Sequence, residues 1–326
     1  MNEEKLKQIL PKDELSKFTK LVPQSQTPIW HYWKEFVTHY LREDKSTSTV
    51  LNVRNTLQFT IRHISIYSIE QCNTPEILRE GLFKAKEDRG WKNGTLNNHR
   101  KNLNTYFLWL LDMEYIKENK IKKVRKCHEV QTENHTLSES EIKQLRTHLF
   151  TGRRNSQFER YRNALLFDMM ILTGARPCEI LNIQMRDIKD KSGTHTLLIR
   201  GKKQKGRIRY YNMPSSLIGL YKMFVMIRQN LGRDEANLFC SQSRRTGLTY
   251  KGISKLVPKL SRELGFKITC YGIRRFVATN LYLKRVPLEK IQQHLGHTRI
   301  TTTLRYIEKS CHLTKDGTDE MGKLLG

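Results

Sequence analysis

The sequence has little that would indicate a metal centre, a secreted protein or a membrane protein. Its six cysteines are scattered, and no C-x-x-C pair occurs; they are Cys72, Cys127, Cys178, Cys240, Cys270 and Cys311. A zinc site or a disulfide framework is therefore not expected. The first ten residues are charged and lack the apolar core of a secretion signal, and no apolar run reaches membrane-spanning length. We therefore expect a cytoplasmic protein without a membrane segment.

Acidic residues are few relative to basic ones. The chain of 326 residues carries 32 Asp and Glu against 59 Lys and Arg, which gives a formal net charge of +27. A folded domain with that excess repels itself unless a polyanion neutralises it. Nucleic acid is the first candidate partner, because cationic side chains that meet phosphates release condensed counterions. An anionic membrane surface is the second, although it would explain the charge alone.

The chain is long enough for two domains. After a charged lead-in, residues 1–26, apolar residues recur at three- and four-residue steps over residues 27–117 and predict a small helical bundle. Thr95 is the expected cap of its fourth helix, whose first turns carry a basic face with Arg100 and Lys101. Residues 118–135 are basic and weakly periodic, which predicts a linker. Contact with a DNA backbone and simple solvation remain equally open for this linker.

A second domain is predicted for residues 136–310. Ser138 and Glu141 form a Ser-x-x-Glu capping box, and a long helix is expected from about residue 160 to a stop at Gly174. Residues 195–200 and 207–213 read as the strands of a hairpin. Further helices are expected to begin near Ser215, Lys251, Tyr271, Pro287 and Thr301. The fold class is therefore mainly α with a small β-hairpin in the second domain, followed by a tail, residues 311–326.

The second domain contains residue types suited to cleavage of a phosphodiester. Such a reaction needs fixed cations around the non-bridging oxygens, a nucleophile in line and an acid for the leaving oxygen. Arginine suits the cation role because its planar fork binds two phosphate oxygens. The candidates are Arg176, Lys202 at the hairpin tip, Arg274, His297 and Tyr306. Each alone is more often a solvated charge, a helix cap or a packing residue, so the argument depends on their combination.

Four segments that contain these residues resemble the sequence boxes of the tyrosine recombinases, also called the phage integrase family. TGARPCEIL is similar to the Thr-Gly-x-Arg-x-x-Glu-Leu box, and GKKQKGR to the Gly-Lys-x-x-Lys-x-Arg hairpin. YGIRRFVATNLY is similar to the His-x-x-Arg box, and LGHTRITTTLRY to the Leu-Gly-His…Tyr box with the same nine-residue step. The four boxes agree in order and cover about residues 137–309. Residues 27–117 resemble the core-binding domain of the family only in their helical pattern.

The resemblance implies a site-specific DNA recombinase that needs neither metal nor ATP. Arg176 and Arg274 would clamp the scissile phosphate, and His297 would hydrogen-bond it or aid proton transfer. Lys202 would protonate the leaving 5′ oxygen, with Lys205 as an alternative. Tyr306 would attack and form a 3′-phosphotyrosine, while Glu179 would be a buried partner of the first arginine. The DNA contacts expected in addition come from Lys203, Lys205, Arg100, Lys101 and Arg275.

One position departs from the family pattern, since Tyr271 stands where the family has histidine. A phenol donates a hydrogen bond to phosphate, but its reference pKa of ~10 makes it a poor proton shuttle near neutrality. Tyr271 is thus either a tolerated replacement or a cause of slower chemistry. It also supports a rival interpretation, a DNA-binding protein of the same fold with impaired catalysis. A type IB topoisomerase is the other rival with similar chemistry.

The same resemblance suggests the assembly. Two protomers would each form a two-domain clamp on double-stranded DNA with an inverted-repeat core site, and two sites would pair in a homotetramer. The tail, residues 311–326, would dock on a neighbouring protomer. The short N-terminal lead-in favours a simple recombinase over an integrase with an additional arm-binding domain.

Overall fold

The computed structural model describes residues 3, 7, 17–43, 45–129, 136–151, 156–191, 193–201, 208–242 and 246–308. The chain divides into two compact units, Met1–Thr132 and Glu133–Gly326. The tail at residues 311–326 and the three hairpin lysines, Lys202, Lys203 and Lys205, lie outside the described residues.

The first unit is a helical bundle. Its helices are α1 (Trp33–Arg42), α2 (Thr47–Phe59), α3 (Ile69–Cys72), α4 (Pro75–Arg89) and α5 (Asn93–Asp112). A π-helical turn, Thr60–Ile64, continues α2, and a 3-10 turn covers Lys120–Lys123. Pro75 begins α4 and Gly90 ends it with a positive φ of 61°, as expected for residues at these helix positions.

The predicted cap at Thr95 is wrong, because α5 begins two residues earlier and Thr95 lies inside the helix. The start of the helix is held instead by two asparagines that form hydrogen bonds with the backbone of residues 127 and 128. Asn93 donates to the carbonyl of His128, and the Asn97 amide exchanges two hydrogen bonds with the backbone of Cys127. The expected linker also contributes Ile121 and Val124 to the bundle core. Five basic residues surround these two apolar positions, so the sequence shows only weak apolar periodicity in this segment.

The second unit is mainly helical around a small sheet, so the predicted fold class is confirmed. Its elements are α6 (Glu139–Thr151), α7 (Gln157–Thr173), α8 (Pro177–Leu181), β1 (Ile188–Lys191), β2 (Thr194–Arg200), β3 (Ile208–Asn212), α9 (Ser215–Asn230), α10 (Tyr250–Leu264), α11 (Cys270–Leu283), α12 (Leu288–Leu295) and α13 (Ile300–Glu308). A 3-10 turn, Met185–Asp187, precedes β1. The capping box is present, since the Ser138 amide donates to the Glu141 carboxylate and the Glu141 amide to the Ser138 hydroxyl.

The three strands form one antiparallel sheet in the order β1-β2-β3. The predicted hairpin is β2 with β3, in which Thr196 pairs with Asn212 and Arg200 with Ile208. The strand β1 was not predicted, because its sequence, Ile-Lys-Asp-Lys, has neither alternating apolar residues nor β-branched enrichment.

Helix α7 is the central element of the second unit, and α6, α9 and α11 pack against it. A separate small core joins α11, α12 and α13; it consists of Val277, Ala278, Ile291, Leu295 and Ile307. Three of the four sequence boxes thus meet where the end of α7 approaches these last three helices. None of the helices in the described ranges is both long and apolar enough to cross a membrane.

Candidate functional site

Arg176 lies in the turn between α7 and α8. Helix α7 ends at Thr173, whose hydroxyl accepts a hydrogen bond from the Ala175 amide at 3.1 Å. Gly174 has a φ of 57°, and a Cβ placed there would lie 2.4 Å from Cδ2 of Leu295. Both facts require glycine at this position, since a side chain would be strained and would collide with α12. The turn therefore determines the position of Arg176 at the start of α8.

Glu179 holds Arg176 in place. Its carboxylate accepts from the Arg176 guanidinium and from the Arg176 amide, each at 3.0 Å. The Glu179 side chain is 1% exposed, whereas that of Arg176 is 36% exposed. Burial raises the pKa of Glu179, but the hydrogen bond from Arg176 and the charges of Arg209 and Arg176 outweigh it and leave the pKa lowered. An ionised Glu179 thus orients Arg176 while part of its guanidinium stays open to a ligand.

Arg274 lies on α11 and is 1% exposed. Its guanidinium donates to the carbonyl of Gly174 and, at 2.7 Å, to the carbonyl of Leu295. Its Nε has no hydrogen-bond partner among the described residues. Desolvation, together with the charge of Arg176, lowers its pKa to about 10, so the guanidinium remains charged at neutral pH. Two neighbouring cations, one of them buried, make this place suited to an anion.

His297 follows the end of α12, where Gly296 adopts a φ of 65°. The imidazole is 2% exposed, and its Nδ1 lies 2.8 Å from the hydroxyl of Thr303. Within the described part of the chain, Nε2 makes no hydrogen bond. Desolvation and the charges of Arg274, Arg176 and Arg209 lower its pKa to about 3, so the ring is neutral at pH 7. Thr303 therefore orients a neutral imidazole whose second nitrogen is available to a ligand.

Tyr306 lies on α13, and its ring packs against His297 with the centroids 5.3 Å apart. Its phenol lies near Arg274 and Arg275, since the negative charge of the ionised phenol would raise the pKa of either guanidinium. Helix α13 is attached to the small core by Ile307. The predicted nucleophile and the two most deeply buried predicted phosphate ligands thus lie together.

Tyr271 lies in the first turn of α11, the helix that also carries Arg274, and is 50% exposed. Burial, followed by the neighbouring phenol of Tyr306, raises its pKa, while the charge of Arg176 acts in the opposite direction. Tyr271 is therefore a neutral hydrogen-bond donor beside both residues at physiological pH. It belongs with Arg176, Arg274, His297 and Tyr306 to one cluster of side chains, as its place in the sequence box predicts.

The other predicted DNA contacts have different environments. Arg275 is 8% exposed, so the surface position expected for it is not observed. It follows Arg274 on α11, where burial of both guanidiniums was not evident from the sequence. Arg100 and Lys101 lie on α5 in the first unit; Arg100 is half-buried and Lys101 is exposed.

Sequence reasoning missed Arg209 on β3. Its side chain is 11% exposed, and it donates to Glu179 at 2.7 Å. A signal was present in the sequence, because residues two apart on a strand share a face and Tyr211 is buried. A charged residue on an inward face needs a partner, and its partner here is the glutamate of the first-arginine box. Thr303 was also missed, since nothing in a Thr-Thr-Thr run singles out the third residue.

No group of three or more His, Cys, Asp or Glu side chains among the described residues is arranged to hold a metal ion. The side chains brought together here carry guanidinium, imidazole and phenol groups. Such a set binds a phosphate and offers it a nucleophile.

Comparison with known proteins agrees with this arrangement. The model of the phage integrase family matches residues 135–312. The tyrosine recombinase XerH of Helicobacter pylori is 31% identical over 153 residues, which cover 45% of this chain and 41% of that protein. The tyrosine recombinase XerA of Pyrococcus furiosus is 24% identical over 294 residues, which cover 89% of this chain and 94% of that protein. The match to XerH thus spans about two fifths of that relative.

Solved structures show the same fold. A XerH site-specific recombinase bound to palindromic difH substrate, in a post-cleavage complex, has a TM-score of 0.69 at 21% identity and covers 97% of this chain and 96% of that one. A lambda integrase dimer bound to a COC' core site has a TM-score of 0.65 at 16% identity, covering 91% of this chain and 81% of that one. With more than half of its length matched by the family model, this chain is a member of the phage integrase family.

Proposed function

We propose that this protein is a site-specific DNA recombinase that cuts and rejoins DNA strands through a covalent bond to Tyr306. The observation that carries the proposal is the position of the Tyr306 phenol, which packs on His297 and lies beside Arg274. Around the imidazole of His297 are three positively charged guanidiniums, of Arg176, Arg209 and Arg274. The family membership and the DNA-bound relatives support the same reaction.

In the proposed reaction, the oxygen of Tyr306 attacks the phosphorus in line and releases its proton to solvent water. The bond between phosphorus and the 5′ oxygen breaks, and that oxygen takes a proton and leaves as a hydroxyl. Arg176 and Arg274 hold the non-bridging oxygens, while His297 Nε2 and the Tyr271 phenol add hydrogen bonds. Rejoining reverses these steps. The bond energy stays in the 3′-phosphotyrosine, so no ATP is required.

Lys202 is the proposed donor of the proton to the 5′ oxygen. It precedes β3 in the hairpin, and a lysine ammonium on a flexible stem suits a proton donor. Lys203, Lys205, Lys101 and Arg100 are proposed to contact the DNA backbone, as a chain with a net charge of +27 requires many phosphate partners. Arg275 is proposed to support the phosphate site from inside α11, given its burial.

The proposed substrate is double-stranded DNA with an inverted-repeat core site, bound by a dimer. The solved relatives support this, because one is bound to a palindromic substrate and another is a dimer on a core site. Pairing of two such sites would produce a homotetramer. Molar masses of the protein on DNA with one site and with two sites would measure both assemblies.

A denaturing pull-down tests the proposed chemistry. The full chain is recovered from cells that contain its native DNA, and any DNA that remains attached is sequenced. Tyr306→Phe removes the nucleophilic oxygen, and Tyr115→Phe, at an exposed tyrosine of the first unit, is the matched control. We expect attached DNA from one discrete locus with the wild type and with Tyr115→Phe, and none with Tyr306→Phe. A 3′ linkage also leaves a free 5′ hydroxyl, which a polynucleotide kinase labels.

The rival functions give different results in the same experiment. Attached DNA scattered over the genome would indicate a type IB topoisomerase. DNA that is retained under native conditions but never under denaturing ones would indicate a binding protein without cleavage. Either result would overturn the proposal.

A further inference from the structure

Arg209 occupies an unusual position for an arginine in so basic a chain. It lies on β3, on the face that also buries Tyr211, directly after the hairpin loop at residues 202–207. Its side chain is 11% exposed, and its fork is occupied by protein partners rather than open to solvent. Its partners lie in two separate segments of the chain, near Arg176 and near His297, which indicates that Arg209 positions these segments.

One branch of the Arg209 guanidinium reaches the first-arginine box. Its Nη2 donates to the Glu179 carboxylate at 2.7 Å, and the same carboxylate accepts from the amide and the guanidinium of Arg176. The carboxylate thus lies between two arginines. Removal of Arg209 would take away one of the three hydrogen bonds that hold the Glu179 carboxylate, and the orientation of Arg176 depends on Glu179.

The other branch reaches the turn that precedes His297. Its Nη1 donates to the carbonyl of His294 at 3.2 Å, and the Tyr211 hydroxyl donates to the same carbonyl. The guanidinium also lies against Gly296, where an added Cβ would be 2.9 Å from Cζ of Arg209. The backbone next to His297 is therefore packed on the side chain of a β3 residue.

We propose that Arg209 is a positioning residue for the scissile phosphate, which it serves by fixing Arg176 through Glu179 and His297 through the Gly296 turn. This inference rests on the proposed function. A planar fork that bonds in two directions is needed for both tasks, and a lysine ammonium offers no such fixed fork. The strand that follows the hairpin loop is thereby tied to both halves of the phosphate site.

The chemistry allows positioning of the phosphate to be separated from protonation of the leaving group. In DNA whose scissile 5′ oxygen is replaced by sulfur, the leaving thiolate needs no proton. A variant that affects only the hairpin acid regains activity on this DNA. A variant that misplaces Arg176 and His297 stays slow on both kinds of DNA.

The experiment compares Arg209→Gln and Arg209→Lys with the wild type and uses Arg200→Gln as the matched control. Arg200 lies on β2 of the same sheet and pairs with the buried Asp187. Single-turnover adduct formation is measured on the DNA site recovered by the pull-down, with oxygen and with sulfur at the 5′ position. We expect Arg209→Gln to be slower by about tenfold to 100-fold on both DNAs. Arg209→Lys should restore only a small part of the rate, and DNA affinity should change little.

A second readout reports on His297 without any cleavage. The charged and titratable groups that face this imidazole are Arg274 on α11, Arg176 before α8, Arg209 on β3 and Tyr306 on α13. NMR titration of ¹³C-labelled histidine should show a higher pKa for His297 in Arg209→Gln and little change in Arg209→Lys, which keeps the charge. A residue that only stabilised the sheet would move the unfolding temperature and leave this pKa unchanged.

The outcomes distinguish the inference from the proposed function. If the wild type cleaves and Arg209→Gln cleaves equally fast, or is rescued by sulfur, the inference is overturned and the proposed function stands. If the wild type forms no adduct, the proposed function fails, and the catalytic part of the inference fails with it. If the rate falls only in proportion to lost folded protein or lost DNA affinity, Arg209 has a purely structural role.

Discussion

The hydroxyl of Thr303 lies 2.8 Å from Nδ1 of His297, and both side chains are buried. This contact connects α13, which carries Tyr306, to the turn after α12, which carries the imidazole. The orientation of the ring therefore depends on a residue three positions before the proposed nucleophile.

Thr303→Val should test this connection, because valine keeps the volume and removes the hydrogen bond. Leaving a buried ring nitrogen without a partner costs about 1–3 kcal/mol of unfolding free energy. The rate of adduct formation should fall more than the loss of folded protein alone would cause, because the imidazole ring loses its orientation. The control is Thr301→Val on the exposed face of α13. Equal adduct rates for the two variants would contradict this role of Thr303.

Stability should depend on pH through His297. Its pKa is about 3 in the folded protein, against the ordinary value of 6.5 in the unfolded chain. Between these values the unfolded state binds a proton that the folded state does not, so stability falls as the pH is lowered through this range. Above the ordinary value the effect vanishes.

The measurement is urea unfolding at about pH 7.5 and about pH 5 for the wild type and for His297→Gln. The variant should lose less stability between the two conditions than the wild type does. The control is His128→Gln, at an exposed position, which should behave like the wild type. An identical loss in the wild type and in His297→Gln would show that the imidazole is not buried in neutral form.

Gly174→Ala should destabilise the second unit for two reasons. The residue has a positive φ, and the new Cβ would lie 2.4 Å from Leu295. The backbone strain costs about 1–2 kcal/mol, and overpacking adds about 1–3 kcal/mol. Gly265→Ala separates the two, because Gly265 has a φ of 77° and nothing lies within 4 Å of an added Cβ.

Unfolding of the two units can be followed separately in this comparison. All four tryptophans lie in the first unit, at Trp30, Trp33, Trp91 and Trp109. Tryptophan fluorescence therefore reports on the helical bundle, and circular dichroism reports on both units. Gly174→Ala should lower the midpoint of the unfolding transition followed by circular dichroism and leave the midpoint followed by fluorescence unchanged. Equal destabilisation by the two glycine variants would contradict the predicted collision with Leu295.

Tyr271→Phe should show what the departure from the family pattern contributes. If the phenol donates a hydrogen bond to the phosphate, its loss removes an interaction with a charged group worth about 1.5–3 kcal/mol, or about tenfold to 100-fold in adduct rate. Tyr115→Phe is the control at an exposed tyrosine of the first unit. Tyr271→His restores the family residue and should cleave at least as fast as the wild type. A Phe variant as fast as the wild type would remove Tyr271 from the site.

The sequence indicated which residues come together better than it indicated their surroundings. Arg176, Arg274, His297 and Tyr306 were singled out because each has a fixed neighbour in its box, and two of these neighbours are the positive-φ glycines Gly174 and Gly296. The burial of Arg274, Arg275 and His297 was not predicted, since a pair such as Arg274-Arg275 is usually solvated in a chain of net charge +27. Burial depends on α12 and α13 folding back on α11, which is a tertiary event.

Local signals also explain which elements of the fold were found. The capping box at Ser138 and the stop at Gly174 are determined by adjacent residues, and both are present. The start of α5 is determined by bonds from Asn93 and Asn97 to residues about 30 positions away, so a local cap rule placed it wrongly. Arg209 belongs to the same class, because its partners lie 30 and 85 residues distant in the chain.

Helix α13 has nine residues, and its buried side chains in the described part are Thr303 and Ile307 alone. A helix with so small an apolar anchor opens at a lower free energy than the core around α7. Its amide protons should exchange with solvent sooner than those of α7 or α11. The proposed nucleophile is thus carried by an element with a small apolar anchor, and docking of these nine residues would control competence for cleavage while the rest of the second unit stays folded.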